Sequence, residues 1–255
     1  MPGRQQRTRS SGSTSPASTG SGWARSERGQ EGACSEATHR PTIVDMDGNG
    51  SLTGLILAGG KSTRFGSDKA SAVVAGKPML QWVAQALQVA CDRLVIVRAA
   101  EQVLPRLELA KPAVIVEDRW EARGPLAGLA SGLPAVETDY CFAASCDAPL
   151  LQPRLVQFLA DRARGHDVAL VEVARRLNPL VAAYRAATCL PGFEKAVERG
   201  DLKITDAFAG LDVLVVDEGE ASAQDPGLFS FRNANRPDSL EEVEAILGRR
   251  GAAPQ

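Results

Sequence analysis

From Leu52 onward, short apolar runs that stop at a glycine, an arginine or an acid alternate with amphipathic stretches, and few folds tolerate that pattern. The runs "LTGLILA" (52–58), "RLVIVRA" (93–99), "AVIVED" (113–118), "DYCFAASCD" (139–147), "HDVALVEV" (166–173) and "LDVLVVDE" (211–218) read as strands. Between them, "KPMLQWVAQALQVA" (77–90) sets Leu80, Val83, Leu87 and Ala90 at helical spacing, with Pro78 suited to a first turn. Residues 101–110 are expected to form a short helix. The stretches 124–136, 152–163 and 189–200 are further expected helices, the first small and tightly packed. A closing helix is expected over 237–250, capped by Asp238 or Ser239, with Leu240, Val243, Ile246 and Leu247 facing inward. Strands that are apolar throughout must be covered on both faces. The expected fold is therefore α/β: one Rossmann-like domain over 51–250, with a mostly parallel sheet and helices on both faces.

Residues 1–50 have a different composition. Ser, Thr and Gly make up 21 of them, and large apolar residues are few. Such a segment buries too little surface to offset chain entropy, so a disordered tail is expected. Its arginines are not followed by an apolar core of about 7–15 residues, which excludes a secretory signal. Met46 is a candidate true start. The linker "DMDGNG" (45–50) imitates the opening of a calcium loop, but the twelfth position, where such a loop needs Glu, is Ile56.

Net charge is −2, which gives no electrostatic reason to bind nucleic acid or an anionic membrane. No apolar run approaches the roughly 18 residues that span a bilayer. Five scattered cysteines without a CxxC pair fit buried thiols in a reducing cytoplasm better than a disulfide framework or a zinc site.

In an open α/β sheet, ligands bind beyond the carboxyl ends of the strands. Ala58, Gly59, Gly60, Lys61, Arg64 and Lys69 follow the first strand, Arg98 the second, Glu117 and Asp118 the third, and Asp147 the fourth. Cations on one loop facing acids on others suit a polyphosphate and a divalent cation. The loop "AGGKSTRFGSDK" is not an ATP-binding P-loop. That pattern would need glycine at position 55, which is leucine, and would turn the strand "LILA" into loop. Gly59 and Gly60 would instead bring backbone N–H groups close to phosphate, with Arg64 as a planar fork and Lys69 returning from the loop's far end. Asp147 could cap the next helix or hold Mg²⁺, which takes one or two carboxylates plus substrate phosphates.

The motifs "LILAGGKSTRFGSDKA", "GKPMLQWV", "VIVEDRWEARGPLAGLASGL", "SCDAPLL", "NPLVAAYR" and "RNANRPDSLEEV", in that order, resemble the molybdenum cofactor guanylyltransferases. These belong to the nucleotidyltransferase superfamily, with the nucleotide-diphospho-sugar transferase fold. The resemblance covers about residues 52–248. It implies transfer of GMP from GTP to the terminal phosphate of molybdenum-molybdopterin, with loss of pyrophosphate. It also implies backbone contacts to GTP from Leu57, Ala58 and Gly59, with Gly60 beside them, and phosphate contacts from Arg64 and Lys69. Asp118 would contact GTP, and Asp147 both GTP and Mg²⁺. Arg64, Lys69 and Asp147 would be the catalytic set. Molybdenum-insertion proteins and recipient apo-molybdoenzymes are the implied protein partners. "LAGG" and the Cys146–Asp147 pair follow the guanylyl pattern, where cytidylyl relatives show "LAAG" and Ala. The family often has Asn where Arg98 stands, and Gln or His where Asn178 stands. Cytidylyl transfer, guanylyl transfer to another phosphorylated acceptor, and a non-catalytic role in cofactor maturation are the alternatives.

Overall fold

The computed structural model describes residues 50–59, 68–120, 123–234 and 237–251. The expected tail, Gly60, Lys61, Arg64, the residues of the calcium-like motif before Gly50 and the side chain of Asp238 lie outside the described residues. Seven strands form one sheet in the order β5-β4-β1-β6-β8-β7-β9. They are β1 (Leu52–Leu57), β4 (Arg93–Arg98), β5 (Ala113–Glu117), β6 (Tyr140–Ser145), β7 (Val168–Val173), β8 (Arg176–Arg185) and β9 (Val213–Val216). Two-residue strands β2 (Val73–Val74) and β3 (Lys77–Pro78) pair separately. All neighbours in the main sheet are parallel except those of β8, which runs against both β6 and β7.

The sheet's parallel part forces crossovers, and helices supply them. Helices α1 (Met79–Ala90), α3 (Pro153–Arg162) and α5 (Glu218–Gln224) lie on one face; α2 (Gly124–Gly132) and α4 (Ala186–Arg199) lie on the other. Side chains alternate between the two cores. Ile56, Leu94 and Ile96 join Leu80, Leu87 and Leu155 on the first face. Leu55, Leu57, Val95 and Val97 join Leu126, Leu129 and Phe193 on the second. The small residues of α2 let it lie flat on β1 and β4. A Cβ on Gly132 would stand 2.5 Å from Leu55 Cδ1 and 2.7 Å from Val97 Cγ2. The closing helix α6 (Pro237–Gly251) buries Val243, Ile246 and Leu247 against Met79 and Leu150, the face expected from its periodicity.

The helix expected over 101–110 does not form. Residues 102–109 are irregular, and Glu101 has a left-handed φ of 60°. Two glutamines of α1 take up this segment's backbone groups. Gln81 donates to Glu108 O and accepts from Glu108 N–H, both at 2.7 Å. Gln88 donates to Lys111 O at 2.6 Å and accepts from Ala110 N–H at 2.9 Å. Leu104, Leu107 and Leu109 still pack on the core from this irregular segment. The strand expected over 211–218 is shorter, because Asp217 caps α5 by accepting from Glu220 N–H at 2.9 Å.

Candidate functional site

Strand β1 has β4 on one side and β6 on the other, so the chain leaves β1 in one direction and later returns on the opposite side. This is the switch point where α/β sheets open a crevice. Lys69, at the end of the loop that follows β1, reaches Asp147, just after β6: Lys69 Nζ lies 3.1 Å from Asp147 Oδ2. Lys69 opens a short 3₁₀ turn, Lys69–Ser71, whose start is fixed by Asp68 Oδ1 accepting from Ala70 N–H at 3.2 Å. Asp147 is not a helix cap, since α3 begins at Pro153 after Gln152. Its backbone carbonyl accepts from Ala234 N–H at 2.9 Å, which ties residues 232–234 to the site.

Asp147 is 7% exposed, and its Oδ1 is buried with no hydrogen-bond partner among the described residues. A buried carboxylate oxygen is costly without a donor or a cation. No cluster of three or more His, Cys, Asp or Glu suited to a metal exists among the described residues. One carboxylate with an unpartnered oxygen nevertheless fits Mg²⁺, whose remaining ligands would come from phosphates and water.

The floor of the crevice is the end of β1. Leu57 O accepts from Cys146 N–H at 3.1 Å. The N–H groups of Ala58 and Gly59 both donate to Val97 O, at 2.8 and 3.2 Å. The N–H of Gly59 is thus committed to β4 and does not point at a ligand as expected. What demands glycine there is close approach, because a Cβ would sit 3.0 Å from Ala99 N. The outer side of Gly59 is exposed.

At the ends of β4 and β5, Arg98 forms an ion pair with Glu117. Asp118 is half-buried, and its Oδ1 accepts from Trp120 N–H at 3.1 Å and from Ser131 Oγ at 2.9 Å. Sequence reasoning missed Gln102 and Asp68. Gln102 donates to Ala58 O at 3.0 Å and to Asp68 Oδ2 at 2.7 Å. A glutamine outside any periodic element carries no sequence signal; Asp68 had one, standing next to Lys69.

A cavity of about 500 Å³ opens between Ser145 at the end of β6, Asn178–Val181 of β8, Leu202–Thr205 and Asn233. Asn178 donates to Arg176 O at 2.9 Å, which braces the β7–β8 turn, where Ala174 and Arg175 both have left-handed φ. The thiol of Cys146 lies between the crevice and the core, and burial pushes its pKa well above the ordinary range.

Residues 54–212 match the MobA-like NTP transferase domain. The chain belongs to that family. It is 36% identical over 202 residues to a probable molybdenum cofactor guanylyltransferase of Natronomonas pharaonis, an alignment covering 78% of this chain and 99% of that one. It is 33% identical to the molybdenum cofactor guanylyltransferase of Desulfosudis oleivorans, covering 77% of this chain and 96% of that one. The crystal structure of molybdopterin-guanine dinucleotide biosynthesis protein A from Archaeoglobus fulgidus superposes with a TM-score of 0.67 at 25% identity, covering 77% of this chain and 99% of that chain. As a MobA-like NTP transferase the chain is a nucleotidyltransferase. Among its described residues no helix is long and apolar enough to cross a membrane.

Proposed function

We propose that this nucleotidyltransferase moves GMP from GTP to the terminal phosphate of molybdenum-molybdopterin, releasing pyrophosphate. The observation that carries this reading is the Lys69–Asp147 contact at the switch point, with the Oδ1 of Asp147 buried and without a hydrogen-bond partner among the described residues. Both named curated relatives are called molybdenum cofactor guanylyltransferases, one of them "probable".

A terminal phosphate oxygen of the acceptor forms a bond to the α-phosphorus of GTP as the α–β anhydride bond breaks. The enzyme's task is alignment and charge neutralisation, with no covalent protein intermediate. Lys69 places its ammonium at the phosphates, held there by Asp147. Arg64 and Gly60, on the same loop, complete the phosphate contacts in this proposal. Leu57, Ala58 and Gly59 form the floor on which the nucleotide lies, and Asp118 offers its Oδ2 to GTP. Asp147 would hold Mg²⁺ through Oδ1, and the ion would supply charge neutralisation at the phosphates. Asn178 and Asn233, with Lys203 nearby, would line the acceptor's place in the cavity.

We place the enzyme in the cytoplasm, with molybdenum-insertion proteins and recipient apo-molybdoenzymes as its partners. The deciding experiment supplies GTP or CTP, Mg²⁺ and molybdenum-molybdopterin, and detects the product by mass. The guanine dinucleotide is expected; preferred use of CTP would overturn the choice of base, and no dinucleotide with either would overturn the reaction.

A further inference from the structure

We infer that Gln102 is a positioning residue, an amide staple that joins both ends of the phosphate loop and thereby sets Lys69. Its role in catalysis rests on the nucleotide reading above. The loop leaves the sheet at Ala58 and returns at Asp68. Gln102 Nε2 donates to both ends, to Ala58 O at 3.0 Å and to Asp68 Oδ2 at 2.7 Å. The amide has only one workable orientation. Its Oε1 accepts from Ala99 N–H at 2.9 Å, so the NH₂ group must face the two oxygens. Flipping it would set N–H against N–H and three oxygens together.

Gln102 is itself held in place. Its backbone carbonyl accepts from Arg98 Nη1 at 2.8 Å, its N–H donates to Ala99 O at 3.2 Å, and it follows Glu101 in a left-handed conformation. Arg98 is paired in turn with Glu117 on β5. From the other end of the staple, Asp68 Oδ1 accepts from Ala70 N–H, which fixes the turn containing Lys69, and Lys69 meets Asp147. The links run from β5 through β4 and β1 to β6, across the whole donor side of the crevice. The ends of β4 and β5 are therefore mechanically tied to the lysine at the phosphates.

Three variants of the full chain test this: Gln102→Ala, Gln102→Glu, and Val103→Ala as a control at a neighbouring exposed position. Two quantities are read: Mg·GTP affinity by calorimetry, and amide exchange over 58–71 in the ligand-free protein. Gln102→Ala should raise the Kd about tenfold, the effect of losing a charge-assisted hydrogen bond. It should also speed exchange at 68–71, while Val103→Ala leaves both unchanged. Glu at 102 can donate only when protonated, and the Asp68 carboxylate beside it favours the protonated form. Relative to wild type at the same pH, Gln102→Glu should therefore bind poorly at about pH 8 and recover towards about pH 5. A residue that only fills space would show no such recovery. Wild-type affinity in Gln102→Ala, or a pH-independent loss in Gln102→Glu, overturns the staple. If the wild-type protein binds neither GTP nor CTP, the nucleotide reading falls, and exchange over 68–71 alone decides: faster in Gln102→Ala supports the staple, unchanged overturns it.

Discussion

On the β4–β1 side of the sheet's carboxyl edge, Arg98, Gln102 and Asp68 are bonded to one another and to backbone, whereas on the β8 side the side chains of Lys203 and Asn233 make no hydrogen bond or ion pair among the described residues. The first side is pre-assembled. Its polar groups satisfy each other before any ligand arrives, which limits reorganisation when phosphate binds. The second side is a cavity with an apolar wall and a few unengaged polar groups, the form of a site that a ligand completes. Lys69 and Asp147 stand where the two sides meet. A triphosphate presents the same charges whatever base it carries, so a fixed cradle suits it. A larger acceptor with its own hydrogen-bonding groups is better met by donors that are still free.

The sharpest way to break this contrast is Lys69→Ala. It should lower turnover by about 10²- to 10³-fold, as removal of a pre-organised charge does, measured by pyrophosphate release. Turnover near wild type would remove the donor side from the chemistry. Asn233→Ala should act on the other side alone. We expect the acceptor KM to rise about tenfold while the Kd for Mg·GTP stays within about twofold, as for loss of one hydrogen bond to a charged group. An equal effect on both constants would dissolve the distinction between the sides.

Gly132→Ala tests the platform under the donor side. The added Cβ meets Leu55 and Val97 of β1 and β4. Overpacking costs about 1–3 kcal/mol, and the better helix former returns up to about 1 kcal/mol. A net loss of about 1 kcal/mol should appear as a lower Tm.

A test that belongs to neither side concerns the buried thiols. Burial pushes Cys91 and Cys189 up to about 12 from 9.0. Their folded pKa is raised, so the stabilisation is complete below about pH 9 and is lost as pH rises towards about 12. Denaturant melts should show stability falling through that window. Thiol reagents at pH 8 should leave the native protein unlabelled at these two positions.

Much of this arrangement could be read from the chain. Apolar runs located six of the seven strands of the main sheet, because a strand buried on both faces has no polar positions to show; β8 (Arg176–Arg185) was not among them, and the edge strand β5 leaves Val114 and Ile115 exposed. The ends of those runs located Gly59, Lys69, Asp118 and Asp147, since ligands gather where such strands stop. The expected helix at 101–110 failed for a physical reason. Gln81 and Gln88 supply, from α1, hydrogen bonds to this segment's backbone that a helix would have made internally. Gln102 was invisible for the same reason, as a side-chain amide bonding to distant backbone leaves no periodicity.

The sequence by itself determined the α/β character, the identity of the loop as something other than a P-loop, and the residue types available for phosphate and metal. These follow from local properties: side-chain polarity, spacing and turn chemistry. Only the tertiary structure decided the strand order, the reversal of β8, and the meeting of Lys69 with Asp147 across 78 positions of sequence. Strand order is set by how helices cover the two faces, and a hydrogen bond between distant loops exists only once that packing has brought them within reach.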